Sequence, residues 1–408
     1  MESKLKHRTA SVRVQLVNLR QEPYSNAEIH VRQKEHDFLL GCGAFDSVNL
    51  TSPGQNADVE FYRDRMEKWL EVYNYGTLPF YWGKFEPQEG APETLSRRKA
   101  AEYLRARGVV TKGHPLCWHT SCADWLLEYD NETILKKQLA RIEREVGQFR
   151  GLIDTWDVIN EVVIMPDFDR YDNAVTRLCR QYGRIGLVKM VFEEAKAANP
   201  DSTLLINDFN TTNAYQILID GCLSAGVPID VIGIQSHQHQ GYWGKEKLES
   251  VLDRFSVFGL PIHFTENTLV SGTLMPPEIV DLNDFQVPEW PSLPEFEERQ
   301  KREIVEMFRI LFEHPLVEAV TQWDFADGAW LGAPSGVVRR DNSVKPAYTA
   351  VKELFRKSWW TDERVHTDEN GMAVIQGFKG KYALRSGAQE AGLVLRETDL
   401  ENVTRITL

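Results

Sequence analysis

With 60 acidic against 47 basic side chains in 408 residues, the chain carries a formal net charge of −13, which argues against a nucleic-acid backbone as partner. Hydrophobic residues make up 42%, and the longest apolar runs are only strand-length. That balance suits one large α/β domain plus a small accessory domain and excludes a membrane-spanning helix.

The start, MESKLKHRTASVRVQLVN, is polar and basic and lacks a signal-peptide pattern, so localisation stays open between a cytoplasmic and an exported protein. ASVRVQLVNL alternates as a strand does, QEPYSN reads as a turn, and AEIHVRQKEHDFLLG continues in extended form. From residue 39 the pattern becomes strand, loop, helix, repeated. Strands are expected at 39–45, 75–81, 109–114, 155–160, 203–209, 230–236, 261–266 and 317–323. Between them lie segments with apolar residues at helical spacing, such as VEFYRDRMEKWLEVY and ETILKKQLARIEREVGQF. Eight such units predict a (β/α)₈ barrel over 39–357; a doubly wound sheet is the rival, but eight units exceed its usual count.

The segment after the seventh strand, VSGTLMPPEIVDLNDFQVPEWPSLPE, holds five prolines and little periodicity. It reads as a shaped wall on the barrel's C-terminal face, with a disordered insert as the alternative. After residue 358 strand patterns return in GMAVIQGF, GKYALRSG, AGLVLRE and NVTRITL. They are too short for a core of their own, so residues 1–38 and 358–408 are expected to form one β-sandwich-like accessory module. That module braces the barrel or binds sugar, with Tyr24, Phe378 and Tyr382 as its candidate aromatics. The five cysteines, an odd number without C-x-x-C, read mostly as free buried thiols, one disulfide being the alternative.

The C-terminal ends of parallel barrel strands converge on one cavity. Glu161 follows the fourth strand in TWDVINEVV, and Glu266 ends the seventh in LPIHFTENT, about a hundred residues further on. Two carboxylates there are the equipment for cleaving a glycosidic bond. Glu161 would be the acid/base, with a raised pKa, and Glu266 the nucleophile. The alternative is a pair of ordinary helix-cap or salt-bridge glutamates. Asn160 offers an amide to a sugar hydroxyl, and His237, with Gln235 on the same side of the sixth strand, is placed to orient Glu266. His114 and Trp118 in KGHPLCWH offer an imidazole and an indole platform, or else a core histidine and a buried Trp. Trp323 and Trp330 are candidate floors under the sugar. His237 and His239 lack the spacing of a metal site, and no nucleotide-binding G-x-G-x-x-G or P-loop occurs, so neither metal nor other cofactor is expected. Asn207 and Asp208 read as supporting residues, and Asp324 and Asp327 as loop-fixing acceptors.

Together these segments resemble glycoside hydrolase family 10, the retaining endo-β-1,4-xylanases. GHPLCWH is similar to that family's G-H-T-L-V-W-H, WDVINE to W-D-V-V-N-E, LLINDFN to L-x-x-N-D-Y-N, GIQSH to G-I-Q-x-H, FTEN to I-T-E-L and KFEPQEG to E-P-x-x-G. The resemblance covers roughly residues 39–357. It implies Glu161 as acid/base, Glu266 as nucleophile, and Asn160, Gln235, His237, His114, Trp118 and Trp330 around the central sugar. One segment departs from the family. Where E-N-x-M-K-W is usual, the chain has TLPFYW, so Thr77, Leu78 and Tyr81 occupy the polar positions and Trp82 matches the Trp. Tyr81 and Trp82 are the candidate sugar contacts there. The expected function is cleavage of internal β-1,4-linkages in xylan or a xylan-like polysaccharide, with a poly- or oligosaccharide as partner. A different β-linked glycan and a non-catalytic carbohydrate-binding barrel are the alternatives. Oligomeric state is not readable.

Overall fold

In the computed structural model, which describes residues 3–408, eight parallel strands close into a barrel. In order they are Leu39–Gly43, Tyr75–Pro79, Val110–His114, Thr155–Asn160, Thr203–Asp208, Val231–Gln238, Ile262–Leu269 and Val317–Gln322, the eighth pairing back onto the first. Each expected strand is found, but the sixth and seventh run past their expected ends. They stay paired through the polar residues Gln235↔Glu266, Ser236↔Asn267 and His237↔Thr268, beyond a register shift at Ile234/Gln235. Such an irregularity re-aims side chains at a strand end.

The helices between strands follow the periodicity and start at side-chain caps. Asp58 accepts from the Phe61 amide, Asp130 from Thr133 and Asn173 from Thr176, which satisfies otherwise unpaired N–H groups. The helix Ala174–Ala198 begins well before the expected YGRIGLVKM segment and is interrupted at Gly183, whose φ of 72° only glycine adopts readily. Short helices at Asp46–Thr51 and Trp82–Phe85 escape the periodicity, being too short to show it. Gly113 on the third strand lets the indole of Trp156 into the barrel wall, where a Cβ would stand 2.1 Å from Trp156 Cζ3.

The chain forms two compact units, one with 40–311 and 316–348 and one with the chain's ends. The second unit holds two sheets. One has the order Met372–Phe378, Thr9–Val17, Asp399–Thr407; the other has Asp362–His366, Glu28–His36, Gly380–Ser386, Gln389–Leu395. The strand Asp362–His366 shows no apolar alternation and was not expected. Inward residues of both sheets, among them Val14, Leu16, Ile29, Ile375, Leu384 and Leu395, form one core. Phe378 and Tyr382, candidate sugar-binding aromatics, are buried instead, and Tyr382 Oη donates to Thr361 Oγ1 at 3.1 Å. Leu384→Ala is expected to lower stability by about 2–5 kcal/mol, read from chemical unfolding, because its fully buried side chain leaves a cavity between two sheets. The five cysteines are free thiols, four of them buried.

The segment after the seventh strand has its own small core. Val270, Met275 and Trp290 pack with Ala333 against Ile279, Leu282, Phe285 and Leu331, and Trp290 Nε1 donates to the Thr273 carbonyl at 2.9 Å.

Candidate active site

Strands four to seven deliver a connected polar network to one end of the barrel. Glu161 directly follows the fourth strand and has φ of 58°, a left-handed conformation that costs a glutamate energy and is characteristic of functional turns. Its amide donates to the Asn207 carbonyl at 2.8 Å, which holds that turn against the fifth strand. The carboxylate accepts from Trp118 Nε1 at 2.9 Å on Oε2, and from Gln235 Nε2 at 3.1 Å and Asn160 Nδ2 at 3.2 Å on Oε1. Burial, and next the negative charge of Glu266, push its pKa up to about 8.

Glu266 is in the opposite state. Its Oε1 accepts from Asn207 Nδ2 at 2.8 Å, and Oε2 lies 3.1 Å from His237 Nε2. Burial alone would raise its pKa, but His114, the His237 hydrogen bond and Lys112 outweigh it and hold the carboxyl below its ordinary value. His114 is oriented from behind. Asp157, fully buried, accepts from His114 Nδ1 and from Lys112 Nζ, both at 2.7 Å, which leaves His114 Nε2 facing Glu266 Oε1 at 4.0 Å. Two neighbouring carboxyls thus differ in ionisation, one kept protonated to alkaline pH and the other kept charged.

Asn207 does more than support. Its Nδ2 also donates to Asn160 Oδ1 at 2.7 Å, while its Oδ1 accepts from Thr265 Oγ1 at 2.6 Å. One amide therefore ties the fourth, fifth and seventh strands together between the two carboxylates. The N-D-F-N motif was the sequence signal; that its Asn contacts Glu266 itself emerges only in three dimensions. Asn207→Ala is expected to lower kcat/KM by roughly 10- to 100-fold with little change in KM, because a hydrogen bond to a charged group contributes about 1.5–3 kcal/mol. Steady-state kinetics on a short oligosaccharide checks it.

Aromatic rings wall the site. Tyr81 meets His114 and Trp118 with ring centroids 5.6 and 5.7 Å apart. Trp323 stands edge-on to His114 at 5.1 Å and to His237 at 6.2 Å, and Trp330 lies 4.3 Å from His237. Burial, and next the charges of Glu266 and Glu161, keep the Tyr81 hydroxyl protonated well above its ordinary range. Trp82 does not join them. It is buried on the other side of the short helix it opens, donating to Glu86 Oε2 at 3.2 Å beneath the Arg141 guanidinium, 4.9 Å from the ring. Trp82, an expected sugar contact, thus has its indole nitrogen taken up by Glu86. Thr77 and Leu78 are fully buried, and the Tyr81 hydroxyl feels the charges of both carboxylates.

Asp208 and Asp324 are buried acids with pKa values raised to about 7 by desolvation. They accept from the Val163 amide at 3.0 Å and from Ser335 Oγ at 2.5 Å, respectively, and Asp327 pairs with Lys345 at 2.6 Å, so all three fix loops. His239 is sandwiched between Trp290 and Trp330, its pKa lowered to about 3 by burial and by His237. Among the described residues no three His, Cys, Asp or Glu side chains are grouped to hold a metal ion.

A protein of Xylanibacter ruminicola named endo-1,4-beta-xylanase/feruloyl esterase is 26% identical over 332 residues, 76% of this chain and 44% of that protein. Endo-1,4-beta-xylanase B of Thermotoga neapolitana is 26% identical over 317 residues, 74% of this chain and 85% of the relative. The chain thus spans less than half of the first relative and most of the second. Among solved structures, xylanase 10B from Thermotoga petrophila in complex with xylobiose superposes with a TM-score of 0.64 at 21% identity, covering 79% of this chain and 95% of that one, which shows a shared fold. The model of Glycosyl hydrolase family 10 matches residues 80–354, from the second strand's end through the last barrel helix, and the chain belongs to that family.

Proposed function

We propose that the chain is a retaining glycoside hydrolase that cleaves internal β-1,4-linkages of xylan or a xylan-like glycan by double displacement. The observation that carries this reading is the geometry of two buried carboxyls in one hydrogen-bonded network, Glu161 held by Trp118, Gln235 and Asn160 and Glu266 by Asn207 and His237, with Asn207 and Gln235 both bonded to Asn160. In the first step a Glu266 oxygen attacks the anomeric carbon, the C1–O bond breaks, and the Glu161 proton passes to the departing oxygen. A glycosyl ester on Glu266 results. In the second step Glu161, now a carboxylate, takes a proton from water; the water oxygen attacks C1 and the ester bond breaks, freeing Glu266.

The other residues act through position. His237 orients and charges Glu266 from one side, and Asn207 from the other. His114, Asn160 and Gln235 present donors to the sugar beside the scissile bond, and Trp118, Tyr81, Trp323 and Trp330 supply the apolar walls on which pyranose faces rest. The names of the xylanase relatives support the choice of xylan.

The test is hydrolysis of a panel of β-linked polysaccharides and oligosaccharides, with Glu266→Ala as control and the anomeric form of the first product followed by NMR. Mutant-sensitive release of β-anomeric xylo-oligosaccharides is the expected result. Mutant-sensitive cleavage of another glycan with xylan untouched would move the substrate, in keeping with the loss of polar groups at Thr77 and Leu78. No cleavage of any glycan would refute the reading.

A further inference from the structure

The loop after the second strand holds Tyr81 in place from both directions. The Phe80 amide donates to the His114 carbonyl at 2.7 Å, which ties this loop to the end of the third strand. The Tyr81 carbonyl accepts from the Lys84 and Phe85 amides at 3.0 and 2.7 Å, and so opens the short helix Trp82–Phe85.

The ring is held as firmly as the backbone. Besides His114 and Trp118 it meets Phe45, just past the first strand, with centroids 6.3 Å apart and planes at 85°. Phe45 in turn stands edge-on to Trp323 at 5.5 Å, and Trp323 edge-on to His114 at 5.1 Å. Phe45, Tyr81, His114 and Trp323 therefore form a closed circuit of ring contacts, drawn from the ends of the first, second, third and eighth strands. Edge-to-face pairs are the favoured geometry of aromatic rings, and a ring with several such neighbours keeps one orientation. Phe45 was not among the expected site residues; nothing in the local pattern around it sets it apart.

Two neighbours of the Tyr81 ring reach the acids. Trp118 Nε1 donates to Glu161 Oε2 at 2.9 Å, and His114 Nε2 stands 4.0 Å from Glu266 Oε1. A sugar bonded through C1 to Glu266 thus lies beside the same ring. Many donors here are already spent on the acids: Trp118, Gln235 and Asn160 each give a hydrogen bond to Glu161, and Asn207 gives one to Glu266. The Tyr81 hydroxyl is not spent. Among the described residues it has no hydrogen-bond partner, and the side chain is partly exposed. Burial, and next the charges of Glu266 and Glu161, keep its proton on, so it remains a donor throughout the neutral range. A donor held without a partner in a site largely withdrawn from water gains free energy when a ligand accepts its hydrogen.

We propose that the Tyr81 hydroxyl is a catalytic hydrogen-bond donor to a ring hydroxyl of the sugar that becomes attached to Glu266. The inference rests on the glycosidase reading above and goes past the apolar wall assigned to Tyr81 there, since the hydroxyl acts as well as the ring. The family pattern E-N-x-M-K-W has its lysine at this position, so this chain places a neutral donor where the pattern has a cation. An uncharged donor suits a transition state in which the sugar gains positive charge, because it adds no cation beside C1.

The test uses Tyr81→Phe, which removes the hydroxyl and keeps the ring contacts. The substrates are dinitrophenyl β-xylobioside, or the matching glycoside of whichever disaccharide the wild type releases, and its two analogues lacking O2 or O3 on the sugar next to the aryl group. On the full substrate kcat/KM is expected to fall by roughly 10- to 50-fold. On one of the deoxy analogues wild type and variant should agree within about twofold, because the hydroxyl's partner is already missing and its removal costs nothing further. A variant within about twofold of wild type on the full substrate overturns the proposal. So does an equal loss on all three substrates, which would make Tyr81 a residue that acts through its neighbours. If the wild type hydrolyses neither these glycosides nor any glycan, the glycosidase reading fails, and Tyr81 is judged by calorimetric binding of xylobiose. Affinity weaker by about fivefold or more in Tyr81→Phe supports the contact, and equal or absent binding overturns it.

Discussion

Glu266→Ala is expected to abolish hydrolysis, with kcat/KM falling by on the order of 10⁴-fold or more, because the variant has no group to form the covalent intermediate. The loss should not be one of folding. The strand that carries Glu266 is paired on both sides of it, and its partners Asn207 and His237 keep other contacts, with Asn160 and with Thr268. Azide is a small nucleophile that fits the vacated volume. With an activated aryl glycoside it should restore part of the rate and give the glycosyl azide of inverted configuration, identified by NMR. The variant should also lower the pKa of Glu161 from about 8, since the Glu266 charge is the second cause of its elevation after burial. A carboxyl carbon NMR titration reads that shift. An aryl glycoside cleaved by the variant at the wild-type rate without azide would sink the assignment.

Glu161→Ala is expected to show a loss that depends on the leaving group. On xylo-oligosaccharides, whose departing alkoxide needs a proton, the rate should fall by about 10²- to 10⁴-fold. On a dinitrophenyl glycoside, which leaves without protonation, the first step should be nearly unaffected and the glycosyl-enzyme should accumulate. Azide should then relieve the second step and give a product of retained configuration. The wild-type pH profile follows from the same two groups. Glu161 must hold its proton, so kcat/KM falls as pH rises through about 8. Glu266 must be ionised, so activity falls as pH drops through a value below its ordinary 4.5. The alkaline limb should vanish in Glu161→Ala with the dinitrophenyl substrate. A limb that persists would assign it to another group.

How far the chain is legible as a sequence differs by element. The barrel strands and the long helices were readable because hydrophobic period is a local property, set by side chains within a few positions of each other. The departures lie where local pattern carries no information. The helix Trp82–Phe85 has one turn, and the edge strand Asp362–His366 is exposed on both faces. Strands six and seven run on beyond Ser236 and Glu266 to Gln238 and Leu269, because His237 and Gln238 stay paired with Thr268 and Leu269 instead of opening a turn.

The same division holds at the site. Glu161 and Glu266 were visible as two carboxyls at the ends of apolar strands, and the resemblance to family 10 implied Asn160, Gln235, His237, His114 and Trp118 beside them. Tyr81 and Trp82 are neighbours in sequence, yet Tyr81 faces the carboxylates while Trp82 is buried against Glu86 and Arg141. The amide of Asn207 between the two acids, the Lys112–Asp157–His114 chain behind Glu266, and the reach of Asp284 to Arg170 belong to tertiary structure alone. By itself the sequence determined the barrel strands and the strand pattern of both chain ends, since these follow from short-range periodicity, and its resemblance to family 10 singled out Glu161 and Glu266 as the candidate acids. Only the folded chain decided which groups hold each acid, Trp118, Gln235 and Asn160 on Glu161 and Asn207 and His237 on Glu266, because such contacts depend on distances between residues far apart in sequence.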